Sequence, residues 1–541
     1  MGRKLTGRIR KTAEKRFKEE FIMKKATHPC PVSRWLACLL LPLLLIGAAA
    51  GEDFTPDLTA YPCGSVRART AVHDPSIIKA GDTYYLFGSH MMAASSQDLR
   101  TWKKLSNGYD ATNPVWGNLF DKQTAVFDWA GGPKSLNPTD DGAWHVWAPQ
   151  VLYNPVMKQY LMYGCTSSTW NTSNLYYAVS DTVTGPYTWQ GALLYSGFTA
   201  ETAGAADVGY WVREGGISKR YLNSAGEYDA MRWPNAIDPT AFFDADGKMW
   251  LVYGSWSGGI FLLELDPQTG GVIHPRDDPE NEVDAYFGKK LLGGGHHSIE
   301  GPWIEYDANS GFYYLFVSYG ALQARGGYQI RVFRSTAPDG PYTDMNGRRP
   351  DGTDDHSAYG LKLSGNYRLP SMKKAYLATG HNSALTDADG RTYLCYHTRF
   401  EDAGEKFLPL VKQYLLNKAG WPCLLPYATR IGEEEALPAA PENVAGRYFV
   451  INQGTDISDR IAEPFIVYLY RDGTASAQDH AFAWSAEEDG RYLRIDADGK
   501  SYSGVVCRMK DDAGTPVRVF SAVGANESLW GVCYDEAAGQ E

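Results

Sequence analysis

Cysteine is scarce in this chain. Eight of its 541 residues are cysteine, and the six beyond residue 50 (Cys63, Cys165, Cys395, Cys423, Cys507 and Cys533) are scattered, with no Cys-x-x-Cys pair. That spacing excludes a zinc ribbon and a dense disulfide framework; it leaves room for one or two disulfides without fixing their pairing. Positive charge is also thin. Residues 1–50 hold 11 of the 52 Lys and Arg but 3 of the 63 Asp and Glu, so the remainder has 41 basic and 60 acidic residues and a net charge of −19. Such a surface is a poor partner for nucleic acid or anionic lipid and suits a neutral or weakly charged substrate. Long apolar runs are missing as well. The one candidate, residues 35–50, is 16 residues long and short for a membrane span. It follows a basic stretch, ends in Ala48-Ala49-Ala50 before Gly51-Glu52-Asp53, and reads as a secretory signal cleaved near Ala50, with Met23 as an alternative start. An uncleaved anchor is the competing reading.

Helical periodicity is rare, and a repeating β pattern takes its place. Five segments share a polar or acidic opening, a turn and an aromatic β run that ends near Gly or Ser. They begin at Asp74, Trp147, Asp238, Glu300 and His381. Each has two β runs joined by a Gly- or Asn-containing turn, as in a hairpin, and the spacing leaves room for two further strands per unit. The expected fold is all-β: a five-bladed β-propeller over residues 51–432, then a linker and a small C-terminal β-barrel or sandwich over 433–541. The linker is placed in the acidic, Pro-rich stretch 432–442. Three Asp-Ala-Asp-Gly turns, at 244–247, 387–390 and 496–499, lack the spacing of a calcium-binding EF-hand loop and read as hairpin turns.

Three carboxylates stand in near-identical settings: His73-Asp74-Pro75, Ile237-Asp238-Pro239 and Ile299-Glu300-Gly301-Pro302. A lone Asp-Pro is usually a turn element, but three at matching positions in a propeller would converge on one channel mouth. Glycoside hydrolysis needs a protonated acid at the leaving oxygen and an ionised carboxylate that activates water or attacks directly. A third carboxylate nearby raises the acid's pKa through like-charge repulsion.

The ordered motifs His73-Asp74-Pro75, Trp147-Ala148-Pro149, Asn235-Ala236-Ile237-Asp238-Pro239, Ser298-Ile299-Glu300-Gly301-Pro302 and Gly380-His381-Asn382-Ser383 resemble glycoside hydrolase family 43. Within that family the likeness is to secreted bacterial endo-α-1,5-L-arabinanases with a C-terminal β domain, and it runs from about residue 66 to 432. The resemblance implies an inverting mechanism, with Asp74 as general base, Glu300 as general acid and Asp238 holding up the pKa of Glu300. It implies His381 as ligand of one calcium ion near the propeller axis. It also implies substrate contacts at His73, Trp147, Asn235, Ala236, Ile237, Ser255 and Trp256. For Trp147 and Trp256 stacking on sugar competes with burial in the core, and for His73 a donor to substrate competes with a structural hydrogen bond. His296 and His297, after Gly293-Gly294-Gly295, are further candidates. Gln150 stands where many members have Asp, and 210–233 reads as an insertion before the third blade. The implied protein is a secreted bacterial monomer, extracellular or periplasmic, acting on arabinan or arabino-oligosaccharides. An exo-acting arabinanase, an α-L-arabinofuranosidase or a β-xylosidase of the same family, and a non-catalytic carbohydrate-binding propeller, are the alternatives.

Overall fold

A computed structural model describes residues 52–534 except 109–112, 121–124, 140–141, 143, 170, 207–219 and 488. The expected export segment, residues 1–50, lies outside the described residues. Among those described, no helix is long and apolar enough to cross a membrane.

Five antiparallel sheets follow one another along the chain. Blade 1 is built from Ser76–Ala80, Thr83–Gly88, Met92–Ser96 and Lys103–Asn107, and blade 2 from Val146–Asn154, Gln159–Ser167, Ser173–Ser180 and Thr188–Ser196. Blade 3 has Thr240–Phe243, Met249–Tyr253, Ile260–Leu265 and Gly288–Leu292, extended by Val283–Asp284 and Val272–Ile273. Blade 4 has Ile299–Asp307, Phe312–Tyr319, Gln329–Ser335 and Leu361–Ser364; blade 5 has Tyr376–Thr386, Thr392–Phe400, Phe407–Leu416 and Pro422–Leu424. In each blade the first strand pairs with the second, and these are the two β runs of the repeat. The turn at 244–247 closes its hairpin because Asp244 accepts the N–H groups of Asp246 and Lys248, both at 2.9 Å. Apolar side chains fill the space between blades. Leu161, Tyr163 and Leu175 of blade 2 pack with Met249, Leu251 and Leu263 of blade 3, whose other face gives Val252 and Leu262 to a core with Leu315, Val317 and Phe333 of blade 4.

Every blade is made wholly from consecutive strands, so the ring closes between blades 1 and 5 through side chains. Ser383 Oγ accepts the Ile77 N–H at 3.0 Å and donates to the Pro75 carbonyl at 2.7 Å. Lys79 pairs with Asp387 at 2.6 Å, and Tyr84 donates to the same carboxylate. The Asp74 N–H donates to His397 Nδ1 at 3.3 Å.

The C-terminal sheet orders Ala475–Ala477, Phe465–Leu469, Gly446–Asn452, Glu527–Cys533, Pro516–Gly524, Lys500–Lys510, Leu493–Ala497 and Phe482–Ala486 side by side, and a bridge between Thr474 and Ala483 nearly closes it into a barrel. The stretch 432–442 differs from the expected linker: Glu435–Leu437 is a strand paired with Val506 to Arg508, and Leu437 is buried in the barrel core. Its charged and Pro-rich composition hides one apolar side chain that gains a partner. The barrel also shares a core with the propeller, where Trp530, Val519 and Val532 meet Tyr367, Leu425 and Tyr427. The buried Lys412 ammonium lies 4.5 Å from the Tyr367 ring and 4.2 Å from the Trp530 ring, and donates to the Pro426 carbonyl at 2.7 Å. The six cysteines beyond residue 50 are free thiols, five of them buried, so the disulfides left open by their number do not form here.

Candidate active site

At the same place in every blade one residue adopts left-handed backbone: Asp74 (φ 50°), Ala148 (37°), Asp238 (56°), Gly301 (58°) and His381 (50°). Pro follows in blades 1 to 4 and Asn382 in blade 5. For a residue other than Gly this conformation costs roughly 1–2 kcal/mol, and such strain survives where the surroundings over-determine it. The kink brings Asp74, Ala148, Gly301 and His381, with Gln150, Thr240 and Asn382, around an axial cavity of about 10 Å³, room for about one water. This frame corrects the sequence reading on one point. Asp74 and Asp238 are equivalent, but Glu300 stands one residue earlier and matches His73, Trp147, Ile237 and Gly380. Gly301 takes the kinked place because a Cβ there would lie 3.1 Å from the His381 ring.

The three acids come together all the same. Asp74, 6% exposed, lies 2.7 Å from His73 Nδ1, 3.1 Å from His381 Nδ1 and 3.5 Å from His397 Nδ1, and accepts from the Ser89 hydroxyl. Burial would raise its pKa, but the imidazoles of His381 and His73 outweigh that and hold it well below the usual carboxylate range. Asp238 is equally buried and accepts the Gly301 N–H at 3.2 Å. Burial first, then repulsion from Glu300 and Asp74, pushes its carboxyl up to about 7, against the pull of His381. Glu300 is half-buried. Its Oε2 accepts from Ser255 Oγ and Trp256 Nε1, both at 2.9 Å, and its Oε1 accepts from the Tyr328 hydroxyl at 2.8 Å. His381 is raised in pKa: burial opposes its charge, but Asp74, Asp238 and Glu300 prevail.

The other expected residues separate into two groups. Trp147, Ile237 and Trp256 are half-buried at the acids' rim. Trp147 sits 4.5 Å from His90 and 5.6 Å from His145, and Trp256 sits 5.5 Å from the exposed His296. Asn235 and Ala236 lie behind the wall instead. Ala236 has no exposed surface and donates its N–H to Ser196 Oγ at 2.9 Å, and Asn235 accepts from the same hydroxyl at 3.3 Å. His73 is the structural hydrogen-bonder of its two readings, tied to Asp74 and stacked 4.2 Å from His397. His297 stacks on His356 at 4.7 Å with Nδ1 buried, away from the acids. Gln150 binds the Ala241 backbone and joins blade 2 to blade 3. Of the insertion, 207–219 lies outside the described residues, while Met231 accepts from Gly295 at 3.2 Å and so abuts the loop of His296.

Sequence reasoning missed Ser89, Tyr328 and His397. A signal for two of them was present in the repeat itself, because in four of the blades a residue at or near the end of the second strand supports the kinked end of an inner strand. Ser89 serves Asp74, Ser255 serves Glu300, Ser318 Oγ accepts the His381 N–H at 2.7 Å, and His397 accepts from Asp74. Asn382, 3% exposed beside His381, has neither amide atom partnered, and it lines the axial cavity.

The profile of Glycosyl hydrolases family 43 matches residues 223–422, and that of the C-terminal lipocalin-like domain matches 427–531. The extracellular endo-alpha-(1->5)-L-arabinanase 2 of Bacillus subtilis is 35% identical over 90% of this chain and 97% of its own length. The chain belongs to glycosyl hydrolase family 43. The crystal structure of endo-1,5-alpha-L-arabinanase from Thermotoga petrophila matches at a TM-score of 0.74 and 33% identity, over 88% of this chain and all of that one. The extracellular exo-alpha-(1->5)-L-arabinofuranosidase ArbA of Cellvibrio japonicus is 28% identical over 73% of this chain and 94% of its own length.

Proposed function

We propose that this family 43 protein is exported and hydrolyses internal α-1,5-L-arabinofuranosidic linkages of arabinan with inversion. The observation that carries the reading is the meeting of Asp74, Asp238 and Glu300 from three blades, with Asp74 and Asp238 shifted in opposite directions. Asp74, kept ionised by its imidazoles, is the base that takes a proton from the attacking water. Glu300, whose three donors hold both carboxylate oxygens, is the acid that protonates the departing sugar oxygen. Asp238 is the buried third acid. Burial and its acidic neighbours keep its own carboxyl protonated up to about neutral pH. The inverting route expects base and acid roughly 6.5–9.5 Å apart, with water between them.

The rim supports attack within a chain. Trp147 with His90 and His145 stands on the side of blades 1 and 2, and Trp256 with His296 on the side of blades 3 and 4, so sugar faces find aromatic surface on both sides of the acids. The relatives named endo-arabinanases favour the same mode over the exo-acting one.

The axial residues fit a calcium ion. The Asn382 amide, unpartnered beside His381, would supply an oxygen, and His381 an imidazole nitrogen. When bound the ion would lend positive charge to the acids around it. The protein is expected to act as a monomer, outside the cytoplasm, in the extracellular or periplasmic space. The test is incubation with linear arabinan, branched arabinan and xylan, with products sized over time. Early release of mixed arabino-oligosaccharides supports the reading, whereas arabinose alone from the first minutes refutes endo action.

A further inference from the structure

Glu300 has one oxygen whose partner can reverse its role. Oε2 accepts from the indole of Trp256, a group that only donates, so that oxygen must remain an acceptor through the cycle. Oε1 accepts from the Tyr328 hydroxyl, and a hydroxyl can both donate and accept. The acid's transferable proton therefore belongs on Oε1. After the proton leaves, Oε1 is an anion facing an O–H that is already within reach at 2.8 Å. A hydrogen bond that strengthens as charge develops lowers the barrier, whereas one of constant strength does not.

Tyr328 is set in place by rings and by the absence of a side chain. Its ring lies parallel to His397 at 5.7 Å, and His397 lies parallel to His73 at 4.2 Å. His73 and His397 are the groups that hold Asp74, so His397 joins the support of the base to the support of the acid. A Cβ at position 380 would come within 2.3 Å of the Tyr328 ring, which is why glycine precedes His381. The phenol is buried, and burial first, then Glu300, drives its pKa far up, so it stays a donor at any working pH.

We infer that Tyr328, carried on the His397–His73 ring stack, is a positioning residue that receives the charge left on Glu300 Oε1 when the leaving group is protonated. The inference rests on Glu300 being the general acid. Tyr328→Phe keeps the ring and removes the donor. A hydrogen bond to a charged group corresponds to roughly a 10- to 100-fold effect. With arabinan, kcat should fall by about that factor with KM unchanged. With arabino-oligosaccharides bearing a nitrophenyl leaving group, which needs little protonation, the loss should stay under about threefold. Gly380→Ala, which keeps the hydroxyl but displaces the ring that carries it, should show the same split between substrates. Equal loss on both substrates, a rise in KM alone, or full activity of Tyr328→Phe on arabinan would overturn the inference. The wild-type protein is assayed alongside, and its failure to cut arabinan would reject the proposed function rather than the role of Tyr328.

Discussion

Replacing Asp238 with asparagine tests the electrostatics of the site without changing its shape. Burial and the neighbouring acids place the Asp238 carboxyl at about 7, against 3.8 for an ordinary aspartate. Between roughly pH 4 and pH 7 the unfolded chain has lost a proton that the folded chain keeps, so wild-type stability falls as pH rises. The slope is about 1.4 kcal/mol per pH unit, and about two units of that titration lie between pH 5 and pH 7, which gives about 3 kcal/mol. The side-chain amide of the variant has no such proton. Asp74 titrates in the opposite sense, stabilising above the ordinary carboxylate range and losing that as pH falls, but it is present in both proteins and cancels in the difference. With unfolding entropy of about 2.1 cal/mol/K per residue, a chain of this size changes its midpoint by about 1 °C per kcal/mol. Thermal unfolding at pH 5 and pH 8 should thus show the Asp238→Asn midpoint rising by about 3 °C relative to wild type, while arabinan hydrolysis drops. A difference that stays constant between the two pH values would refute the placement of the Asp238 proton.

Glu300→Gln preserves the acceptor for Ser255 and Trp256 but removes the proton; activity on arabinan should fall by roughly 10²–10⁴, and nitrophenyl substrates should be spared. Similar losses on both would move the acid elsewhere. His381→Ala should lower hydrolysis and make the remainder insensitive to a chelator that inhibits the wild type; unchanged activity and unchanged chelator response would remove His381 from any metal site. Lys412→Ala cuts a buried stem from between Tyr367 and Trp530 and should cost about 2–4 kcal/mol, as other large-to-small core changes do. An unaltered melting midpoint would show that the barrel does not rest on this contact.

The architecture was legible because each inner hairpin announces itself by alternation, a turn and a terminal Gly or Ser. Asp74 and Asp238 were legible because the Asp-Pro pair marks the kink. Glu300 was legible because Glu-Gly-Pro also sets an acid just ahead of a proline, although its place in the repeat is one residue removed from theirs. The burial of Asn235 and Ala236 was not legible, because proximity in sequence to Asp238 does not say which way a residue faces. Tyr328 was invisible: it lies between blade strands with no repeat partner, and its role depends on the small residue at position 380. The strand at Glu435–Leu437 escaped notice because three residues in an acidic stretch carry no measurable periodicity.

The seam between the first and last blades has a consequence for how the protein fails. Of the contacts that shut the ring, those through Ser383 and His397 lie beside Asp74, and among the described residues no blade strand is shared across the gap to keep it shut. A breach at that joint would misplace the water-activating aspartate before the remaining blades had parted. Heat should therefore silence the enzyme at a lower temperature than it melts the sheets.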